Sequence, residues 1–185
     1  LIPKRYLRYK IAKHLNFYYN RVGQVIVPSE AARRWLLRHS VYTPITVVPT
    51  GVPAPRMIDR AHARAELGIP PETRVLLCAG RIAREKNLSV LFEALALALP
   101  REPRLRMLLV GDGPARAECA AIARELGVGD RVRFAGAKDR AEVDAYYAAS
   151  DLFVFSSMTE TQGLVVLEAM SYGLPALVVQ GGGAS

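Results

Sequence analysis

Residues 150–179, SDLFVFSSMTETQGLVVLEAMSYGLPALVV, constrain this chain more than any other stretch. Leu152 to Phe155 is a short apolar run rich in aromatic and branched residues, which predicts a buried strand. Ser156 to Gln162 is polar and has no helical period, so it is a loop. A helix is expected from about Gly163 to Tyr172. Gly173 supplies a left-handed stop and Pro175 bars continuation. Ala176 to Val179 then reads as a second strand. Two strands joined by a crossover helix are parallel, with the helix packed on a face of the sheet.

The helix is apolar nearly all round and is therefore expected to be buried. Glu168 breaks the pattern, and a carboxylate on a buried helix needs a partner. Glu160 lies eight positions earlier, in the loop at a strand's carboxyl end, where open parallel sheets bind ligands. The N–H groups of Gln162, Gly163 and Leu164 open the helix and favour an anion such as a diphosphate. Glu168 is five residues further on, roughly 7.5 Å at ~1.5 Å rise per residue. That is about the reach from a diphosphate to the hydroxyls of its ribose. The plainer alternative makes Glu160 a solvated loop acid and Glu168 a helix acid paired with an arginine.

The rest of the chain extends the same pattern. Strands are expected at 24–27, 45–48, 74–79, 105–110 and 131–134. Helices are expected at 3–19, 30–39, 60–68, 87–99, 114–126 and 139–149. Ser29, Asn87 and Asp139 read as N-caps, and Pro114 suits a first helical position. This alternation implies an α/β fold with a Rossmann-like, doubly wound parallel sheet. PTGVPAP at 49–55 carries three prolines and a glycine, and reads as a linker.

Charge divides the chain at about the same place. Residues 1–60 carry 11 Lys and Arg against Glu30 and Asp59, a balance of +9; residues 61–185 balance at −1. A basic segment suits nucleic acid, an anionic membrane surface or simple solubility. No helix-turn-helix, RNA-binding aromatic motif or zinc spacing accompanies it, so nucleic acid is not expected. Residues 3–19, with Lys4, Arg5 and Arg8, read equally as a solvated face or a membrane contact. No apolar run reaches the ~18–20 residues of a membrane span, and no signal-peptide core is visible. Cys78 and Cys119 lack CxxC neighbours and read as free thiols of a reducing, cytoplasmic compartment. His14, His39 and His62 have no metal-ligand spacing, and no metal is expected. The start at LIPKRYLRYK lacks an initiator Met, so a fragment of a longer protein is expected.

Glu160-x7-Glu168 within ETQGLVVLEAMSYGLPALV resembles the E-x7-E signature of retaining glycosyltransferases of family 4, with the GT-B fold. The likeness includes the Gly-Leu after the first Glu, Glu-Ala-Met, and Gly-x-Pro. It extends to VIVPSEAARRWLLRHS and ITVVPTGV, similar to the last strand–helix–strand of the family's N-terminal domain and its linker. The resemblance implies residues 1–50 as the tail of an acceptor-side domain. It makes 51–58 a linker and 59–185 a donor-binding domain that stops short of its closing helices.

It also implies roles. Gly80, Arg81 and Lys86 match a G-R-x4-K pattern that binds the donor diphosphate; without it, Arg81 and Lys86 are two loop bases. Ala137 and Lys138 would contact the base through their backbone. Glu160, with Thr161, Gln162, Gly163 and Leu164 beside it, would meet the donor sugar and diphosphate, and Glu168 the ribose. Glu160, Arg81 and Lys86 are the residues expected to act in catalysis. The donor would be a UDP-sugar first, a GDP- or ADP-sugar next, with no other cofactor and no DxD metal motif. The acceptor would be a lipid such as diacylglycerol, or a saccharide, placing the protein peripherally on the cytoplasmic face of a membrane. Two alternatives stay open at this point: a non-catalytic nucleotide-binding module, and a nucleotide-sugar epimerase. The isolated 185-residue chain is expected to show little or no turnover.

Overall fold

The computed structural model describes residues 13–180, and the fold divides into two compact units after Gly51. The smaller unit opens with α1 (13–19) and continues with β1 (Val25–Val27), α2 (Glu30–Arg38) and β2 (Ile45–Val47). The two strands are parallel, with Val25 opposite Ile45. Alternation points Val25 and Val27 inward, where they meet Leu36 and Val41. Ser29 caps α2 by accepting a hydrogen bond from the Ala32 N–H at 3.2 Å, as its sequence position predicts. Lys4, Arg5 and Arg8 lie outside the described residues, as do 181–185.

The larger unit begins with α3 (Arg60–Glu66), β3 (Arg74–Ala79), a 3₁₀ turn at Arg84–Lys86, α4 (Ser89–Ala98) and β4 (Leu105–Val110). It continues with α5 (Arg116–Glu125), β5 (Val132–Gly136), α6 (Arg140–Ala149), β6 (Leu152–Phe155), α7 (Leu164–Ser171) and β7 (Ala176–Val178). Its five strands are all parallel, in the order β5-β4-β3-β6-β7. Strand alternation sorts the core onto two faces. Val75, Leu77 and Ala79 join Phe153, Tyr147, Val166 and Ala169 under α3, α6 and α7. Cys78 joins Met107, Leu109, Phe92, Leu95 and Cys119 under α4 and α5. Both faces are thus covered, as an all-parallel sheet requires.

Two capping expectations are corrected. Asn87 does not cap α4: it closes the 3₁₀ turn in the left-handed region, φ 52° and ψ 43°, and α4 starts two residues later. Its short polar side chain tolerates that conformation, so the same residue type that signals a helix start here marks a turn. Pro114 lies in a turn before α5, whose first residue is Arg116.

At the amino edge of the sheet, Asp151 gathers three arginines. Its carboxylate meets Arg60 at 2.5 Å, the buried Arg64 at 2.8 Å and Arg74 at 3.7 Å, and accepts the Val75 N–H at 2.7 Å. Burial alone would raise the Asp151 carboxyl. The Val75 amide and the guanidinium groups of Arg60 and Arg64 outweigh it and hold the group below its ordinary value. Arg64 also donates to the carbonyls of Ala149 at 2.9 Å and Pro71 at 2.8 Å, tying α3 to the start of β6.

Candidate active site

The strand order reverses direction between β3 and β6: β4 and β5 build outward on one side, β7 on the other. Such a switch point opens a crevice at the carboxyl ends of the two strands. The loops that leave β3, β4 and β5 are stitched together there. Gly80 N–H donates to Val110 O and Ile82 N–H to Asp112 O, both at 2.9 Å; Gly111 N–H donates to Gly136 O at 2.8 Å. Contact is close enough to require glycine. A Cβ on Gly111 would fall 2.0 Å from Gly80 O, and one on Gly113 would fall 2.2 Å from Ile82 O. Gly-Asp-Gly-Pro is therefore a seat for the β3 loop as well as a turn.

Seated this way, the 3₁₀ turn delivers Lys86 to Glu160 across the crevice. The Lys86 ammonium forms an ion pair with Glu160 Oε1, and each side chain is 21% exposed. Ser157 Oγ donates to the same carboxylate oxygen at 2.9 Å, and Ser156 Oγ donates to the Lys86 carbonyl at 2.7 Å. Ser156 and Ser157, both buried, thus fix each partner from β6's own end. Below them a cavity of about 10 Å³, room for roughly one water, is lined by residues including Cys78, Gly80, Arg81, Lys86 and Phe155.

Arg81 is placed differently. Its guanidinium pairs with Glu85 within the same loop and its side chain is 64% exposed. Lys138 pairs with Glu142 at 2.8 Å, one turn into α6, which raises its ammonium's affinity for the proton. Ala137 stands next to it in the loop after β5. Gly163 opens α7 with φ 69° and ψ 51°, in the left-handed region. Thr161, Gln162 and Leu164 frame that helix start, beside Glu160.

Glu168 lies on the same helix but outside the Lys86–Glu160 pair. Arg140 of α6 donates to its Oε1 at 2.6 Å, and the Tyr147 hydroxyl donates to its Oε2 at 3.1 Å. The arginine partner that the plainer reading of Glu168 requires is therefore present. Burial first, then the Glu168 charge and hydrogen bond, push the Tyr147 phenol upward; the Glu168 hydrogen bond holds Arg140 upward too. Glu168 is an acceptor at both oxygens. Sequence reasoning missed Arg140, Tyr147 and Ser157. Their signal was weak: Arg140 and Tyr147 are an ordinary base and a core aromatic of α6 until α7 packs beside them, and Ser157 is one polar residue of a polar loop.

A doubly wound parallel sheet with a switch-point crevice, beside part of a second Rossmann-like unit, is the architecture of the GT-B glycosyltransferases. The chain belongs to the glycosyl transferases group 1 family, whose model matches residues 59–185. It is 34% identical over 163 residues to the alpha-monoglucosyldiacylglycerol synthase of Streptococcus pneumoniae, covering 84% of this chain and 37% of that protein. It is 36% identical over 170 residues to a D-inositol 3-phosphate glycosyltransferase of Thermobispora bispora, covering 84% and 39%. Among solved structures it resembles HepE of Anabaena in complex with UDP and glucose. The TM-score is 0.83 and the identity 25%, over 94% of this chain and 49% of that one. Sucrose-phosphate synthase of Thermosynechococcus elongatus matches with a TM-score of 0.83 and 30% identity, over 99% and 47%. The chain thus spans about two-fifths of the length of these curated relatives.

Proposed function

We propose that this chain carries the donor half of a hexosyltransferase that uses a nucleoside-diphosphate sugar and retains the anomeric configuration. The observation that carries the reading is the convergence of Lys86, Glu160 and the start of α7 at one switch point, with Glu168 further along the same helix. Lys86 and Glu160 neutralise one another. A diphosphate seated on the helix start would draw the Lys86 ammonium toward itself and free Glu160 for the donor sugar. Arg81, on the exposed rim, would turn from Glu85 to the same diphosphate. These cations would stabilise the charge that builds on the departing nucleoside diphosphate. Glu160 is assigned to hold the sugar and is given no nucleophilic role. Glu168 is assigned to the ribose.

UDP is the favoured nucleotide because the HepE structure holds UDP and glucose. A diacylglycerol-type lipid is the favoured acceptor because the pneumococcal relative is named for one. Among the described residues no helix is long and apolar enough to cross a membrane, so contact with lipid would be made at the surface. Binding to anionic vesicles at low salt tests that part.

Calorimetric titration with UDP, GDP and ADP tests the donor site. One nucleotide is expected to bind, and Glu168→Ala and Arg81→Ala to weaken it by ~1–3 kcal/mol each, as for lost charged hydrogen bonds. A chain that is folded by circular dichroism yet binds none of the three would overturn the reading.

A further inference from the structure

Glu168 is gripped more firmly than charge balance requires. A carboxylate has about four lone-pair positions. Arg140 takes one on Oε1 at 2.6 Å and Tyr147 takes one on Oε2 at 3.1 Å, which leaves one acceptor position on each oxygen. The two donors are themselves held. The Tyr147 ring is buried and stacks on Tyr172 at 5.2 Å between centroids, with planes 17° apart. Arg140 Nε lies 3.5 Å from Oδ1 of Asp144, a buried carboxylate one turn along α6. That oxygen has no hydrogen-bond partner of its own. Asp144 also reaches the Tyr172 hydroxyl, whose phenol is raised first by burial and then by that contact. The register of α6 is set by a capping box, in which Asp139 and Glu142 bond each other's backbone N–H. Asp144, Arg140, Glu168, Tyr147 and Tyr172 therefore close a ring of contacts between α6 and α7.

We propose that Arg140 and Tyr147 are positioning residues that orient the Glu168 carboxylate as a two-point acceptor for the vicinal hydroxyls of a nucleotide ribose. The inference rests on the assignment of Glu168 to the ribose and adds the groups that set its discrimination. A carboxylate free to rotate would offer the same charge to any nucleotide. One pinned at both oxygens offers two acceptors in a fixed orientation, which suits a cis-diol and is wasted on a sugar without one. The plainer role for Arg140, balancing a buried acid, demands no such preference.

The test compares two ligands on the full chain: whichever of UDP, GDP and ADP binds tightest, and the same nucleotide lacking its 2′ and 3′ hydroxyls. Dissociation constants are measured for the parent, Arg140→Met and Tyr147→Phe. The parent should favour the ribonucleotide by about tenfold or more, as for lost hydrogen bonds to a charged group. Tyr147→Phe keeps the ring and its stack, and should erase most of that preference with little change in binding of the dideoxy form. Arg140→Met removes a cation and weakens both ligands, so the ratio between them is the readout, and it should fall toward one. Variants that stay folded and keep the parent ratio would overturn the proposal and leave Arg140 as a charge-balancing partner. A parent chain with no preference would instead overturn the ribose assignment itself, and the proposal with it. Absence of any nucleotide binding would remove both along with the proposed function.

Discussion

At the scale of single residues, the most informative side chains are those whose type is explained only by a neighbour distant in sequence. Glu168 stands out because an acid on an apolar helix announces itself, and Glu160 only through its place eight positions earlier at a strand's carboxyl end. Arg140 was not, because a base at the start of an amphipathic helix is ordinary until α7 lies against it. Asn87 was read from its type as a helix cap, whereas its backbone sits at φ 52°. Left-handed geometry costs a residue with a Cβ roughly 1–2 kcal/mol, and asparagine less than most. Asn87→Ala should therefore lower unfolding stability by about 1 kcal/mol, and Asn87→Gly should leave it nearly unchanged. Urea unfolding of the two variants checks this. Equal stability of both would show that the turn does not depend on that conformation. Since Asn87 follows Lys86 directly, Asn87→Ala should also disturb the Lys86–Glu160 pair.

At the scale of elements, the sequence placed every described strand within a residue or two, because buried parallel strands are continuous apolar runs. Arg74–Ala79, Leu105–Val110 and Leu152–Phe155 have the bounds that their hydrophobicity predicts. Helix starts were harder. Asp139 was legible because Glu142 completes a capping box, a local pattern. The start of α5 was not, because Pro114 belongs to the turn that seats the β3 loop, a contact between segments some thirty positions apart in sequence. Asp139→Ala should cost about 1 kcal/mol, measured by chemical unfolding. It should also loosen the hold of Arg140 on Glu168 through the register of α6. Gly111→Ala should be costlier, because the added Cβ would meet Gly80 O at 2.0 Å and the glycine's φ is 131°. A loss of about 2 kcal/mol or more is expected, with weaker nucleotide binding because the Lys86 loop moves.

At the scale of the molecule, alternation of strands and helices made the doubly wound sheet legible, but strand order required the structure. Hydrophobic runs do not say that β6 pairs with β3; that pairing creates the crevice. The opposite edge governs acid resistance. Asp151 is ionised among Arg60, Arg64 and Arg74, and its value in the folded chain lies below the ordinary 3.8. Its contribution is thus fully present above about pH 4 and is lost as pH falls through the folded value. Asp151→Asn should cost ~2–3 kcal/mol at pH 7, since it leaves the buried Arg64 without its counter-charge. The gap between parent and variant should narrow as pH falls below the ordinary carboxylate value, as urea midpoints across the acid range would show. A gap that stays constant with pH would refute the linkage. The floor of the crevice offers a further consequence. Cys78 lines the small cavity beneath Lys86, and burial pushes its thiol up to about 12. Such a thiol reacts with a maleimide only when the sheet opens around it. Its labelling rate is therefore a clock for breathing of the central strand, and a nucleotide bound overhead should slow that clock.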